Sequence, residues 1–414
     1  MARAERPPAI VLGGDSPIGL TVVRELGEHG VPVHVIARSR EGVALYSRWA
    51  TTRHVRPPDR AGTLALVNQI AAHEGAEFLL AISESDNILV REAADAGQLG
   101  QLRALVPPLE ALRRVNDKIL TIEAARAVGI PVPATWQPAE GNDPGPFPAL
   151  TFPCILKWRD PIAVAPALER AGLALTKAEY CDDAGALSRA LARYAPVGRY
   201  PMVQEFCQGV GLGHMLFLRN GRALLRFQHI RRAEWPPDGG ISCVCESLPP
   251  GFHLDWLDRS QRLLQAIGWQ GAAMVEYRYD PTADRLALME INGRFWGSLP
   301  LAYHCSAHFA WLTYATLGLG MEISPKTDRA GIVCRYMVPE TRRILMILFR
   351  HAAIRDAALA RTPGRALAQY LTAFFRSSTR YYVFSWRDPG PFFADIGFIL
   401  AKALRRALAR IPKG

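Results

Sequence analysis

The sequence predicts a mixed architecture, an α/β unit followed by α+β units. Near the N-terminus, short apolar runs alternate with segments of helical periodicity, as in a parallel sheet covered by helices. Between residues 201 and 325 the apolar runs follow one another through turns, which is typical of antiparallel strands. With 414 residues, 49% of them hydrophobic, the chain is long enough for two or three domains.

The N-terminal unit is predicted to be Rossmann-like. We expect strands at residues 9–12, 31–37 and 77–83, each an apolar run, with an amphipathic helix between the first two. Strands that alternate with helices form parallel sheets, because the crossover helix returns the chain to the same edge.

The composition changes along the chain suggest four domains. Residues 1–115 form the α/β unit, and the Gly- and Pro-rich stretch GNDPGPFPALTFP lies within a small α+β unit, residues 116–200. Residues 201–330 form a larger antiparallel unit, and residues 331–414 form a helical, basic C-terminal extension. The strands expected in the larger unit are MVQEF, HMLFL, ALLRFQHI, AAMVEYRYD and LALMEIN.

A glycine turn after the first strand raises the alternative of an NADP-dependent reductase. Gly13, Gly14 and Gly19 follow a strand and open a helix, but GGDSPIG departs from the GxGxxG pattern of dinucleotide sites. The second strand is followed by Arg38 and Arg40, which suit a 2′-phosphate. The other interpretation is a tight strand-to-helix turn whose amides face solvent or a substrate anion.

Charge is concentrated at the C-terminal end. The net charge is +11, and residues 341–414 carry 14 Lys or Arg against 3 Asp or Glu, so this segment accounts for the whole excess. Anionic lipid, nucleic acid or plain solvent could face such a segment. We favour packing of these amphipathic helices on the rest of the chain. The second interpretation is peripheral contact of residues 396–410 with an anionic membrane. A homodimer face is a further alternative, and nucleic acid is not favoured.

The remaining gross features are those of a cytoplasmic protein. The N-terminus lacks the apolar run of a secretory signal, and no stretch approaches the roughly 20 apolar residues of a membrane span. Seven cysteines without a CxxC pair are expected to be reduced thiols.

Two carboxylates are predicted to face each other across a hairpin. In GAAMVEYRYDPTADRLALMEIN, two strands flank the turn DPTAD. If Pro281 and Arg285 are the last opposed pair, Glu276 lies directly across from Glu290, and Asn292 lies on the same face. Like charges so placed need a counter-charge, and oxygen ligands without Cys or His suit Mg²⁺, with Mn²⁺ as the alternative ion. Since Mg²⁺ completes its shell with phosphates and water, this patch predicts a nucleotide site.

The competing interpretation is a structural salt-bridge cluster with Arg278, Arg285 or Arg294. Two lysines favour the metal interpretation instead. Lys157 ends the apolar strand CILKW, and Lys118 begins a helix after Asn116–Asp117. A charge at the end of a buried strand is out of place unless it meets an anion. Together with the carboxylates, these lysines would clamp a triphosphate.

The motifs, in their order along the chain, resemble the ATP-grasp superfamily. NDK…GIPVP, ILK, VQEF…G and MVE…LMEINGR are similar to the pattern of its carboxylate–amine ligase branches, related to biotin carboxylase, D-alanine ligase and carbamoyl-phosphate synthetase. The resemblance implies ATP and Mg²⁺ as cofactors, a preATP-grasp domain at the N-terminus and a two-part ATP-grasp domain after it. Four matched sets follow by position: Lys118 and Lys157 for phosphate, the hinge Gln204, Glu205, Phe206 and Cys207 for adenine, Glu276, Glu290 and Asn292 for metal, and Arg294 for the reacting carboxyl phosphate.

Two departures from the family pattern are visible. The loop after the second lysine, usually glycine-rich, is WRDPIAVAPALERAG here, with only Gly172. The usual acidic ribose contact after the hinge is replaced by GVGLG, which leaves His214 as a candidate for the ribose.

The function implied is an ATP-dependent ligase that forms an amide or peptide-like bond between small-molecule carboxylate and amine substrates. It would proceed through an acyl phosphate, with release of ADP and phosphate. The alternatives are an ATP-binding regulatory module without turnover and the NADP-dependent reductase. For the substrate we consider Arg231 and Arg232 in the segment HIRRAEWPPDGGISCVCES, which is either a loop over the acceptor site or a hairpin with solvated charges. Residues 83–86, at the end of a parallel strand, are a further candidate contact.

Overall fold

Three β-sheets organise the described part of the chain. The computed structural model describes residues 6–237, 239–325, 329–350, 354 and 362–408, without the side chains of residues 406–408. Parts of two predicted segments lie outside the described residues: Asp238 of the 231–245 segment, and residues 351–353, 355–361 and 409–414 of the tail.

The first sheet has five parallel strands in the order β3-β2-β1-β4-β5, and it confirms the predicted N-terminal α/β unit. Strands β1, β2 and β4 are wholly buried because helices cover both faces. The second strand begins two residues later than predicted. The elements are β1 (Ala9–Leu12), α1 (Pro17–Glu28), β2 (Val33–Ala37), β3 (Ala50–Val55), α2 (Arg60–Glu74), β4 (Phe78–Ala81), α3 (Glu84–Asp95) and β5 (Arg103–Ala104).

The second sheet has four short strands in the order β6-β9-β7-β8, and all its pairings are antiparallel. Strand β9, with the sequence MVQE, corrects a prediction. It was expected in the larger unit, but it pairs with CILK of β7 in this sheet. The predicted division at residues 200 and 201 stays a prediction. The elements are α4 (Leu109–Asn116), α5 (Lys118–Ala127), β6 (Thr135–Trp136), β7 (Cys154–Lys157), α6 (Pro161–Arg170), β8 (Glu179–Cys181), α7 (Ala184–Ala192) and β9 (Met202–Glu205).

The third sheet has seven strands in the order β14-β13-β10-β11-β12-β15-β16. One face, with Leu216 and Tyr277, packs on a long helix, and the other, with Met215 and Phe217, shares a core with the N-terminal unit. The elements are β10 (Val210–Arg219), β11 (Arg222–Trp235), β12 (Ile241–Ser247), α8 (Leu254–Ile267), β13 (Gly271–Asp280), β14 (Arg285–Asn292), α9 (Leu299–His304), α10 (Phe309–Leu312) and β15 (Val333–Arg335).

The β13–β14 hairpin has a bulge that the sequence analysis did not predict. The last opposed pair is Asp280 with Arg285, one position away from the predicted pair. The register then shifts at Met289, so Glu276 is opposite Glu290 as predicted. Because of this extra residue, Leu288 and Ile291, three positions apart, can both face the same core.

The C-terminal extension is only partly helical. Its elements are α11 (Met337–Phe349), α12 (Pro363–Thr372), β16 (Thr379–Tyr381) and α13 (Gly390–Leu408), and β16 completes the large sheet beside β15. Arg24 of α1 forms a buried ion pair of 2.9 Å with Asp388, which ties the extension to the N-terminal unit. The expected packing of this segment on the chain is therefore confirmed over its described part. No described helix combines the length and apolar character needed to cross a bilayer.

Candidate functional site

The two predicted carboxylates and the amide share one face of the β13–β14 hairpin. Glu276 and Glu290 are directly opposed, and the Asn292 side-chain amide lies 3.4 Å from Glu276 Oε2. Val275, Tyr277 and Ile291 alternate with them and point into the core on the opposite face. Hairpin register thus brings three oxygen-bearing side chains together, although they are distributed over seventeen positions of sequence.

Lysines surround this acidic patch. Lys157, at the end of β7, donates to Gln204 Oε1 at 3.0 Å. Burial lowers the pKa of Lys157, while the Glu290 carboxylate opposes that shift. For Glu290, burial alone would raise the pKa, but the positive charges of Lys177, Lys118 and Lys157 outweigh burial and lower the pKa to about 2. Glu290 is therefore ionised at neutral pH, and lysines from β7, from the start of α5 and from the segment before β8 supply the charge that keeps it so.

Lys177 is a residue that the sequence analysis missed. Its charge has the largest stabilising effect on the Glu290 carboxylate, yet it is exposed and lies in the segment between α6 and β8. An isolated lysine in an irregular segment gives no periodic signal. Only the fold of the second sheet brings it towards β14.

An arginine from β11 ion-pairs with one of the predicted metal ligands. Arg231 contacts Glu276 at 2.6 Å and Glu234 at 3.1 Å, and Arg278 contacts Glu234 at 2.9 Å. Burial would lower the pKa of Arg231, and the two carboxylates raise it instead. Gly211 of β10 makes room for this side chain, since a Cβ there would lie 2.5 Å from Arg231 Cδ. A salt bridge to the acidic patch is thus present, as the competing interpretation expected. The arginine that pairs with Glu276 is Arg231, however, and not Arg285 or Arg294.

The segment HIRRAEWPPDGGISCVCES is a hairpin and not a loop. Residues up to Trp235 belong to β11, and β12 resumes at Ile241. The two arginines differ in environment, because Arg231 is buried in the charged cluster while Arg232 is half-exposed and pairs with Glu246 at 2.7 Å. Of the two interpretations, the structure shows the hairpin, and a substrate contact of Arg231 or Arg232 stays a prediction. Arg232 has no contact with the acidic patch among the described interactions.

The arginine after EIN faces the N-terminal sheet. Arg294 Nε donates to Glu84 Oε1 at 2.8 Å, at the start of α3. Glu84 belongs to the predicted contact segment 83–86, where Ser83 caps α3 by accepting from the Asp86 amide. The carboxyl end of a parallel sheet is the usual ligand position in α/β folds. The structure therefore places Arg294 where the first and third sheets meet.

The predicted hinge, residues 204–207, lies between the second and third sheets. Residues 204 and 205 end β9 of the second sheet, and β10 of the third begins at Val210. The Glu205 carboxylate accepts from the Ala134 amide at 3.0 Å, Phe206 packs edge-on against Tyr180, and Cys207 is close enough to Lys157 for its charge to act on the thiol. Whether this backbone binds adenine stays a prediction.

His214 is a corrected prediction. It is fully buried on the α8 face of the sheet, where its Nδ1 lies 2.9 Å from Ser260 Oγ. Burial lowers the pKa of His214 to about 3, so it is neutral. On β10, Gly213 and not His214 is opposite Glu276, which puts the imidazole on the other side of the sheet from the patch. The proposed ribose contact is therefore wrong.

The glycine-poor lid segment forms helix α6. Asp160 caps it by accepting from the amides of Ile162 and Ala163, and Val164 and Leu168 are buried. Arg159, just before the helix, pairs with Asp117 at 2.7 Å, next to Lys118. The segment therefore differs from a glycine-rich loop in structure as well as in sequence, because residues 161–170 are helical.

The N-terminal glycines have a packing role. A Cβ at Gly13 would lie 2.7 Å from Ile82, and one at Gly14 would lie 2.6 Å from Val35. At Gly19 a Cβ would overlap the Gly13 carbonyl. These contacts support the interpretation of GGDSPIG as a tight turn.

The cysteines and the acidic side chains form no further cluster of metal ligands in the described part of the chain. All seven cysteines lie in the described residues, and none of them forms a disulfide there. Within the described ranges no three His, Cys, Asp or Glu side chains cluster as metal ligands; the candidate set has two carboxylates and one amide.

Comparison with known proteins identifies the fold. No protein-family model matches the chain. A carbamoyl phosphate synthase large chain from Thermomicrobium roseum is 21% identical over 395 residues, which cover 89% of this chain and 36% of that one. The chain thus spans about a third of the length of this relative.

Two solved structures show the likeness in three dimensions. A biotin carboxylase complex from Campylobacter jejuni has a TM-score of 0.59 at 15% identity, over 78% of this chain and 74% of that one. An L-amino acid ligase from Bacillus licheniformis has a TM-score of 0.57 at 16% identity, over 76% and 74%. At such identities the likeness establishes the fold alone, and this fold agrees with the one that the resemblance to the ATP-grasp superfamily implied.

Proposed function

We propose that this protein is an ATP-dependent carboxylate–amine ligase. The observation that carries the proposal is the opposed pair of Glu276 and Glu290, surrounded by Lys118, Lys157 and Lys177. Two carboxylates on one face suit a hard divalent ion, and the lysines suit the phosphates of a nucleotide. The fold agrees, since the similar structures include an ATP-analogue complex of biotin carboxylase and an L-amino acid ligase.

The reaction would run in two steps. A substrate carboxylate attacks the γ-phosphate of ATP, and the P–O bond to ADP breaks to give an acyl phosphate and ADP. An amine then attacks the acyl carbon, phosphate leaves, and an amide remains after loss of a proton. A bound Mg²⁺ or Mn²⁺ would supply charge neutralisation on the phosphates.

The residues of the chain have separate tasks in this scheme. Glu276, Glu290 and the Asn292 amide would hold the ion, because they offer oxygen donors and Glu290 is ionised. Lys157 and Lys118 would orient the phosphates, and Lys177 from the neighbouring segment would add a third cation. These donors fit the ion chemically, although an ion would compete with Arg231 for Glu276.

Arg294 is proposed to act on the substrate side. Its guanidinium already pairs with Glu84 at the carboxyl end of the N-terminal sheet. A planar guanidinium binds carboxylate and acyl-phosphate oxygens in a bidentate manner better than an ammonium does. An anionic substrate that displaced Glu84 from Arg294 would lie between the two sheets.

Thermal stabilisation tests the nucleotide site directly. ATP with Mg²⁺ should raise the unfolding temperature of the wild type, and ATP with a chelator should have less effect, since only the native state binds. Glu290→Gln should remove the Mg²⁺ dependence, while Glu246→Gln, which alters an exposed ion pair on the same sheet, should keep it. No stabilisation of the wild type by ATP, with or without the metal, would refute the nucleotide site.

Turnover is tested by ADP release. Release that needs both a carboxylate and an amine from a panel of small molecules supports the ligase. Mg²⁺-dependent ATP binding without release for any pair would favour the regulatory module, for which the helical lid segment is the supporting observation. The NADP-dependent reductase has weaker support, because the glycines that suggested it are explained by packing.

A further inference from the structure

The last helix of the described chain exposes an apolar stripe to solvent. On α13, Phe393, Leu400 and Leu404 are 66%, 63% and 61% exposed, and Ile396 is exposed beside them. Spacings of three, four and four residues put these side chains on one side of a helix. An apolar stripe along a helix that faces away from its own protein marks a surface for something else.

The helix is held firmly at its base. Asp388, just before it, forms the buried pair with Arg24, and the Phe398 ring contacts Tyr46 edge-on at 5.5 Å. Arg405 lies 3.4 Å from Glu41. The side of α13 that carries Phe398 is thus packed on the N-terminal unit, and the stripe is the opposite side. The stripe is therefore exposed although the helix is packed on the N-terminal unit, because the opposite side of the helix makes that contact.

An aromatic cluster continues the stripe at the start of the helix. Its rings contact one another in sequence, and Trp386, 87% exposed, and Phe393 are its outermost members. Tryptophan and phenylalanine at the end of an amphipathic helix are typical of side chains that enter the interface of a bilayer. The contacting pairs are Phe374–Tyr381, Tyr381–Phe384, Phe384–Trp386, Phe384–Phe392 and Phe392–Phe393.

The charge of this region indicates the chemistry of the partner. Residues 341–414 contain 14 basic and 3 acidic residues, which equals the net charge of the whole protein, +11. Lys402 and Arg405 lie away from the stripe on α13 by helical spacing. At the base of the helix, Arg40 and Arg53 line a cleft of about 500 Å³ together with Tyr46. An anionic surface would be attracted by this charge, whereas a second copy of the chain would bring the same net positive charge.

We infer that α13, with the aromatic cluster at its start, is a docking surface for an anionic phospholipid bilayer. The apolar stripe enters the acyl boundary, with Trp386 at the level of the headgroups, and the net positive charge of residues 341–414 attracts the anionic surface over a longer range. This inference does not depend on the proposed ligase activity, and the two can fail separately.

Co-sedimentation with vesicles tests the inference on the full chain. The wild type should bind vesicles of phosphatidylcholine with phosphatidylserine more than vesicles of phosphatidylcholine alone, and added salt should weaken the binding. The double variant Leu400→Ser, Leu404→Ser should lower the partition coefficient about tenfold, because two exposed leucines lose their apolar burial. Leu254→Ser, at a leucine that is 50% exposed at the start of α8, is the control and should bind like the wild type.

A charge variant tests the electrostatic part of the inference, and a measurement of the mass in solution tests the alternative of a dimer. Lys402→Glu should reduce binding to the anionic vesicles several-fold and leave the weak binding to phosphatidylcholine unchanged. Equal thermal unfolding of all variants would show that the fold is intact. Wild-type protein that stays in the supernatant with both vesicles overturns the inference, as does full binding of the double serine variant. A dimer that becomes a monomer in the serine variant, without vesicle binding, would also overturn it and assign the stripe to a second copy.

Discussion

Replacement of Arg231 with methionine should destabilise the protein by several kcal/mol. The guanidinium is 10% exposed and contacts Glu276 at 2.6 Å and Glu234 at 3.1 Å. Methionine keeps most of the volume and removes the charge, so Glu276 remains buried without this cation, while Glu234 keeps Arg278. Loss of one partner of a buried ion pair costs about 3–5 kcal/mol, because the remaining charge is left uncompensated. The lysines near Glu290 offset part of this cost, so we expect the lower end of that range.

Urea unfolding followed by circular dichroism measures this cost, and the adjacent arginine provides the control. Arg232 is on the same strand, is 51% exposed and pairs with Glu246, so Arg232→Met should change the free energy of unfolding by only about 0–1 kcal/mol. A divalent ion should stabilise Arg231→Met more than the wild type, since it no longer competes with the guanidinium for Glu276. Equal costs for the two methionine variants would refute the burial argument, and an absent ion effect would count against Glu276 as a ligand.

Two further predictions concern the same region. Because the pKa of Glu290 is lowered from 4.5 to about 2 in the folded protein, its ionised form contributes stability above pH 4.5 that is lost as the pH falls towards 2. The unfolding free energy of the wild type minus that of Glu290→Gln should therefore fall by about 3 kcal/mol over this range, and a pH-independent difference would contradict the assignment. Gly209→Ala should cost about 2 kcal/mol or more in urea unfolding, because φ is +114° and a Cβ would overlap the Tyr279 carbonyl. The control Gly221→Ala, at φ +75° with open space around it, should cost only about 1 kcal/mol, and equal costs would show that the contact with Tyr279 is unimportant.

The candidate site could be predicted from the sequence partly because two deviations cancel. Counting from the turn gave the pairing of Glu276 with Glu290, but the actual turn pairs Asp280 with Arg285, one residue away. The bulge at Met289 restores the register. A signal for it was present, because Leu288 and Ile291 are three residues apart and a regular strand cannot bury both on one face.

The contacts that were missed are those between strands distant in sequence. The face of the sheet on which His214 lies follows from the pairing of β10 with β13. Because no turn links those two strands, the sequence did not indicate that Gly213 is opposite Glu276. Arg231 pairs with Glu276 over 45 positions, through space that Gly211 leaves open. Local periodicity predicts which residues a strand buries, but the order of strands in a sheet depends on packing of the whole chain.

The balance of charge separates the two interpretations of the acidic patch. A structural salt-bridge cluster should be close to neutral, because a buried unpaired charge of either sign is costly. Around Lys157 and Glu290, however, five cations, of which Lys177 is exposed, act on two carboxylates, and Glu234 adds a third carboxylate. The excess of positive charge favours an anionic ligand, and an anion with several charges, such as a triphosphate, would accommodate a divalent ion at the carboxylates as well. The salt bridge of Arg231 and the proposed metal site are therefore compatible, since the arginine can neutralise Glu276 before a nucleotide and its ion bind. The cations of this group are Lys118, Lys157, Lys177, Arg231 and Arg278.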